Sequence, residues 1–218
     1  HWPQLFFRQF YCSTGTTWTQ ELVWLLANDF DYETALSVPI THRYPFLEEK
    51  ILKMMEVMTQ PVTEKLAAMP SPRFIKTHLP MSFLPPTIVD TAKVIYIARD
   101  ARDIAVSSYH HSKLFKVIDF VVVQSPYFEH VKEAWNMRHH PNMLFLFYEE
   151  LAKDLPAVVR RVADFLGKEV TDKQMTRLCD HLSFENFKKN KSVNYEDLKE
   201  FEIASPNETF IRKGKIRF

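Results

Sequence analysis

Two short apolar runs constrain this chain more than any other feature. Residues 93–98 read KVIYIA and residues 143–147 read MLFLF. Neither run alternates apolar with polar side chains, so neither fits a strand with one wet face. Each reads as a strand buried on both faces. Helical patterns surround them, over residues 101–115, 127–138, 155–166 and 172–182. Upstream, residues 5–11 could form a strand. Residues 16–28 are helical, with Trp18, Leu22, Leu25 and Leu26 on one side, and residues 46–58 read as a second amphipathic helix stopped near Pro61. Residues 74–78 form a short strand ended by Pro80, and the C-terminal stretch reads as polar loop. Apolar strands separated by helices predict an α/β fold, a parallel sheet flanked by helices. Ligands of such sheets bind beyond the carboxyl ends of the strands. That rule singles out residues 13–17, 76–78, 99–103 and Tyr148.

The bulk numbers narrow the function classes. A chain of 218 residues suits a single domain. A net charge of +1 gives no basis for a general nucleic-acid or acidic-membrane binder. No apolar run approaches the roughly 18 residues of a membrane span. The two cysteines, Cys12 and Cys179, show no disulfide spacing, which suits a reducing, cytoplasmic setting. The opening His1-Trp2-Pro3 has neither a Met nor a signal-peptide layout. The expectation is one domain over residues 1–218, incomplete at both ends.

Glycine is scarce: three are present where average usage gives about 15. Gly167 follows a helical run and reads as a helix C-terminal cap. Gly15 and Gly214 sit beside Thr or Lys, which makes both candidate phosphate contacts. In Ser13-Thr14-Gly15-Thr16-Thr17-Trp18, small hydroxyl residues around a glycine open a helix, exposing N–H groups and the positive helix end to an anion. Ordinary Ser/Thr capping would use the same residues. Lys76 and His78, two apart on a strand, point to the same side. Together they offer a cation and a titratable base at a sheet edge, or a solvated strand end. Arg99 follows a buried strand and can fork onto a phosphate with Ser107 one helix face further on. The same segment could instead carry helix-start ion pairs with Asp103. The segment Phe210-Ile211-Arg212-Lys213-Gly214-Lys215 is either a basic anion loop or a solvated tail. No metal site is expected, because His110-His111 and His139-His140 lack nearby Cys or carboxylate spacing. No Gly-Lys-Ser/Thr occurs, which disfavours a kinase-like P-loop.

These segments resemble one family in order and spacing, the cytosolic sulfotransferases that use 3′-phosphoadenosine 5′-phosphosulfate (PAPS). SPRFIKTHLP resembles their KTHLP segment, and KVIYIARDARDIAVSSYHH their 3′-phosphate-binding strand and helix. FLFYEELAKDL, SFENFKKNKSVNY and FIRKG are similar to later segments, and STGTTW to the end of their YPKSGTTW loop. The likeness runs from about residue 11 to residue 214.

The resemblance implies a three-layer parallel sheet of the P-loop nucleotide-binding type, the sulfotransferase fold. It implies a transferase that moves a sulfonate from PAPS, without a metal, to a hydroxyl or amine of a small acceptor such as a phenol, steroid or alcohol. His78 would be the general base and Lys76 would stabilise the sulfonate and leaving phosphate. Ser13, Thr14, Gly15, Thr16 and Thr17 would hold the 5′-phosphate, and Trp18 would stack on adenine beside Ser183 and Phe184. Arg99, Ser107, Phe210, Ile211, Arg212, Lys213 and Gly214 would enclose the 3′-phosphate, and Tyr148 would approach the adenine edge. Three departures accompany the likeness. Ser13 stands where the family has its loop lysine, and Cys12 where it has proline. Residues 1–10 do not resemble the family's first strand. The family's dimerisation segment is not found, which leaves the oligomeric state open. Losing a charge-assisted contact at Ser13 costs about 1.5–3 kcal/mol, so the alternative expectation is an impaired relative that binds PAPS or its product PAP.

Overall fold

The computed structural model describes residues 4–9, 15–48, 62–115, 127–196, 199 and 204–212. Ser13, Thr14, Lys213, Gly214 and most of the expected helix at 46–58 lie outside the described residues.

Among the described residues, the strands are β1 (Gln4–Gln9), β2 (Phe74–Thr77), β3 (Ala92–Ala98) and β4 (Met143–Phe147). They form one sheet in the order β2-β1-β3-β4, and every pairing is parallel. The helices are α1 (Thr16–Ala27), α2 (Tyr32–Ser37), α3 (Ile40–Arg43), α4 (Val62–Ala68), α5 (Ile88–Thr91) and α6 (Ala101–Phe115). They continue with α7 (Tyr127–Asn136), α8 (Tyr148–Lys153), α9 (Leu155–Leu166), α10 (Asp172–His181) and α11 (Phe184–Lys189).

The two apolar runs are buried on both faces, as expected. Along β3, Ile95 and Ile97 join one core cluster, while Val94, Tyr96 and Ala98 join the other. In β4, Leu146 belongs to the first cluster, and Met143 and Phe145 to the second. The first cluster is completed by α1 and by helices α8 to α11, and the second by α5, Ile104 of α6 and Ala134 of α7. The result is three layers, helix on sheet on helix. Among the described residues, no helix is long and apolar enough to cross a membrane.

The opening segment is central in the sheet. β1 pairs with β2 from Leu5↔Phe74 to Arg8↔Thr77, and with β3 from Gln4↔Ala92 to Gln9↔Ile97. The expected helix at 46–58 does not begin at Phe46. Phe46 forms a parallel bridge with Lys76, whose N–H donates to the Pro45 carbonyl at 3.0 Å and whose carbonyl accepts from Leu47 N–H at 2.8 Å. Pro45 disfavours helix at the residue before it, and the bridge to β2 then holds Phe46 before the chain turns at Leu47 and Glu48.

Helix ends follow their side-chain chemistry. Asp154 caps α9 by accepting from Ala157 N–H at 3.1 Å, and Gly167 closes it at φ 69°. A buried charged pair ties the N-terminal helices together. Arg43 donates to Glu21 at 2.7 Å, and Glu21's other oxygen lies 2.8 Å from Nε2 of His181 at the end of α10.

Candidate active site

The turn into α1 is built around Gly15. It is the N-terminal cap in a left-handed conformation, φ 89° and ψ 23°, and its carbonyl accepts from the amide and hydroxyl of Thr19, each at 3.1 Å. Among the described residues, no side chain caps this helix, and no acidic residue lies in its first turn. The N–H groups and positive dipole of the helix start are therefore not offset by a neighbouring carboxylate. Thr16 and Thr17 are buried as the first helical residues, so side-chain capping is not how they are used.

Tyr148, the first residue after β4, lies directly on this turn. A β-carbon on Gly15 would come 2.5 Å from Cδ2 of the Tyr148 ring. The Arg99 guanidinium lies over the same ring, 4.1 Å from its centroid, and Trp18 meets it at 6.1 Å. Burial pushes the Tyr148 phenol above its ordinary value, with Arg99 pulling the other way. Trp18 is held from its far edge, where Nε1 donates to the Leu182 carbonyl at 2.8 Å. Ser183 and Phe184 follow immediately, with Ser183 capping α11 through Asn186 N–H at 3.4 Å. Gly15, Trp18, Arg99 and Tyr148 are thus one contiguous cluster at the carboxyl ends of the strands.

Arg99 also carries part of the ion-pair reading, since Nη2 lies 4.0 Å from Asp103. Its backbone is fixed by Tyr127, whose hydroxyl accepts from Arg99 N–H at 3.3 Å and donates to the Arg99 carbonyl. No local pattern signals this contact, which spans 28 residues. Ser107 is half-buried on α6, one residue before the buried Ser108.

A second cluster lies at the end of β2. Lys76 is half-buried within the strand, and His78 is buried as the first residue beyond it. Both meet Phe46: Nζ of Lys76 is 5.3 Å from its ring centroid, and the His78 ring packs edge-on at 4.8 Å. The pair therefore shares one side, as the strand spacing predicts. Beneath them, Glu48 Oε1 accepts from the Thr77 hydroxyl and from His78 N–H, both at 2.6 Å. Burial pushes the Glu48 carboxyl above its ordinary value, against those hydrogen bonds and the Lys76 charge. His111 of α6 faces the same cation. Burial first, and then Lys76, pull its pKa down to about 3.

The C-terminal segment reaches the site through aromatic packing. Phe210 packs edge-on against Tyr195 at 4.5 Å and approaches Phe115 and His111, each at 6.3 Å. Ile211 packs on the main core and Arg212 is exposed. Sequence reasoning missed Phe46, Glu48, His111 and Tyr127. No local pattern signals their partners: Glu48 bonds across 29 and 30 residues, and Tyr127 across 28. Among the described residues, no group of three or more His, Cys, Asp or Glu side chains could hold a metal ion.

Comparison with known proteins identifies the family. Residues 11–217 match the family model described as sulfotransferase domain. Luciferin sulfotransferase of Photinus pyralis is 37% identical over 213 residues, covering 86% of this chain and 57% of that protein. Sulfotransferase 1C2 of Homo sapiens is 34% identical over 222 residues, covering 94% of this chain and 73% of that protein. A crystal structure of retinol dehydratase with retinol and PAP superposes with a TM-score of 0.88 at 44% identity, over 97% of this chain and 74% of that one. The same enzyme with androsterone and PAP gives 0.87 at 43% identity, over 97% and 73%. With its parallel sheet, flanking helices and a family match spanning nearly its whole length, this chain belongs to the sulfotransferase family.

Proposed function

We propose that this chain transfers a sulfonate group from PAPS to the hydroxyl, or amine, of a small apolar acceptor. The observation that carries the proposal is that the Gly15–Tyr148–Arg99 turn and the Lys76–His78 pair both lie at the carboxyl ends of strands of one parallel sheet. PAPS, when bound, supplies the sulfonate. The residues fit such a donor, since Gly15 leaves room where any side chain would strike Tyr148, and α1 opens on N–H groups that no side chain among the described residues caps. Thr16 and Thr17 would hold the 5′-phosphate, and Trp18 with Ser183 and Phe184 the adenine. Arg99, Ser107, Phe210, Ile211 and Arg212 would enclose the 3′-phosphate. Ser13, Thr14, Lys213 and Gly214 extend that set by resemblance.

His78 would accept the acceptor's hydroxyl proton as the acceptor oxygen bonds to sulfur and the bond from sulfur to the 5′-phosphate oxygen breaks. Lys76 would offset the charge that grows on the leaving phosphate. Phe46 forms an apolar wall beside both groups. Retinol and androsterone, the ligands named with retinol dehydratase, are apolar molecules bearing a hydroxyl. We take the same chemical class as this chain's acceptor, and its two cysteines without disulfide spacing as the mark of a cytoplasmic protein.

Ser13 favours a second reading, a PAPS or PAP binder with impaired turnover, because a hydroxyl stands where the family's loop carries a cation. Incubation with PAPS and a simple phenol or apolar alcohol separates the two. A sulfate ester, or from the alcohol an olefin formed by loss of sulfate, supports the transferase. PAP binding without either product supports the binder, and Ser13→Lys should then restore turnover.

A further inference from the structure

We propose that Glu48 is a positioning residue for catalysis, holding the backbone from which His78 projects; this rests on the reading of His78 as the base. β2 is a four-residue strand whose pairing with β1 ends at Arg8↔Thr77. The His78 amide is therefore one residue beyond that ladder, yet it is buried and needs a partner. Glu48 provides one. Its Oε1 accepts from His78 N–H and from the Thr77 hydroxyl, and the Thr77 oxygen in turn accepts from Leu79 N–H at 3.2 Å. One carboxylate oxygen thus fixes three consecutive residues at the strand's end.

The backbone just before Glu48 is fixed to the same place. Residues 45 to 47 bond to both sides of Lys76, so Glu48 is carried on a segment already in register with the other candidate catalytic residue. The second oxygen, Oε2, is buried and makes no hydrogen bond among the described residues. Both donors converge on the first oxygen. Glu48 acts by accepting two hydrogen bonds at a set position, and charge is not required for that task. A displacement of His78 by about 1 Å is enough to lower turnover by about 100-fold.

Glutamine at this position keeps an acceptor oxygen where Oε1 lies, whereas aspartate keeps the charge and draws the acceptor back by one methylene. Steady-state kinetics and PAP calorimetry on Glu48→Gln, Glu48→Asp and Glu48→Ala, beside His78→Ala, test the proposal. Glu48→Asp and Glu48→Ala should lose about 10- to 100-fold in kcat, with PAP affinity unchanged, and Glu48→Gln should recover most of it. An active Glu48→Asp with an inactive Glu48→Gln would overturn the proposal, because charge and not position would then be at work. Parent kcat in Glu48→Ala, or a kcat loss matched by an equal loss of PAP affinity, would overturn it as well. The Gln and Asp variants decide the matter even if Glu48→Ala does not fold. Should His78→Ala retain the parent kcat, the reading of the base fails first, and that result is distinct from any pattern among the Glu48 variants.

Discussion

The ring of Tyr148 occupies the space that a side chain on Gly15 would need, with Cδ2 2.5 Å from the position of a β-carbon. This contact joins the first turn of α1 to the residue that leaves β4. Between them they shape the floor of the proposed nucleotide site. Gly15 is also at φ 89°, where an L-residue is strained by about 1–2 kcal/mol. Gly15→Ala should therefore combine backbone strain with displacement of Tyr148 and of the Arg99 guanidinium stacked on it. PAP affinity, read by calorimetry, should fall by at least about tenfold, the equivalent of 1.4 kcal/mol. Unchanged affinity would separate this turn from the donor site.

Glu21 is the hinge of a buried charge network. It pairs with Arg43 at 2.7 Å and lies 2.8 Å from His181. Arg43 is further committed to the carbonyls of Val38 and Ala35, at 2.9 and 3.0 Å, so it cannot follow a lost partner into water. Removing one member of such a pair leaves an uncompensated buried charge. Glu21→Ala should destabilise the fold by about 3–5 kcal/mol, read from urea unfolding. A loss below about 1 kcal/mol would mean the pair is solvated in the manner of a surface bridge.

His111 makes stability depend on pH in a defined direction. Its folded pKa is lowered from 6.5 to about 3 by burial and by Lys76. Between those values the unfolded chain binds a proton that the folded chain refuses. Stability contributed at this site is therefore complete above the unfolded pKa and is lost as pH falls toward about 3. The slope is at most about 1.4 kcal/mol per pH unit. His111→Phe should flatten that part of the profile in denaturant midpoints taken between pH 4.5 and pH 7.5, a range of about 3 units. An identical profile in the variant would assign the slope to other groups.

What the sequence made legible was periodicity, and what it concealed was partnership. The runs KVIYIA and MLFLF carry their two-sided burial in composition alone, and α6 and α9 begin and end where their patterns do. The expected helix at 46–58 does not begin at Phe46, because that residue bridges to Lys76 at the edge of β2, and its later residues lie outside the described ones. Lys76 and His78 were visible because strand alternation places them together. Glu48 was not, because its bonds span 29 and 30 residues and no local pattern records them. Trp18 was assigned to the nucleotide from resemblance, but the carbonyl that orients it belongs to Leu182, 164 residues away.

The central claim is that His78 removes a proton from an acceptor at a site that binds the donor independently of it. The most direct test measures sulfonate transfer from PAPS and PAP binding on the same preparations of the parent chain and His78→Ala. The account predicts that the parent transfers sulfonate, and that His78→Ala binds PAP with parent affinity while turnover falls to background. Turnover at the parent rate in His78→Ala, or no PAP binding by the parent chain, would contradict it.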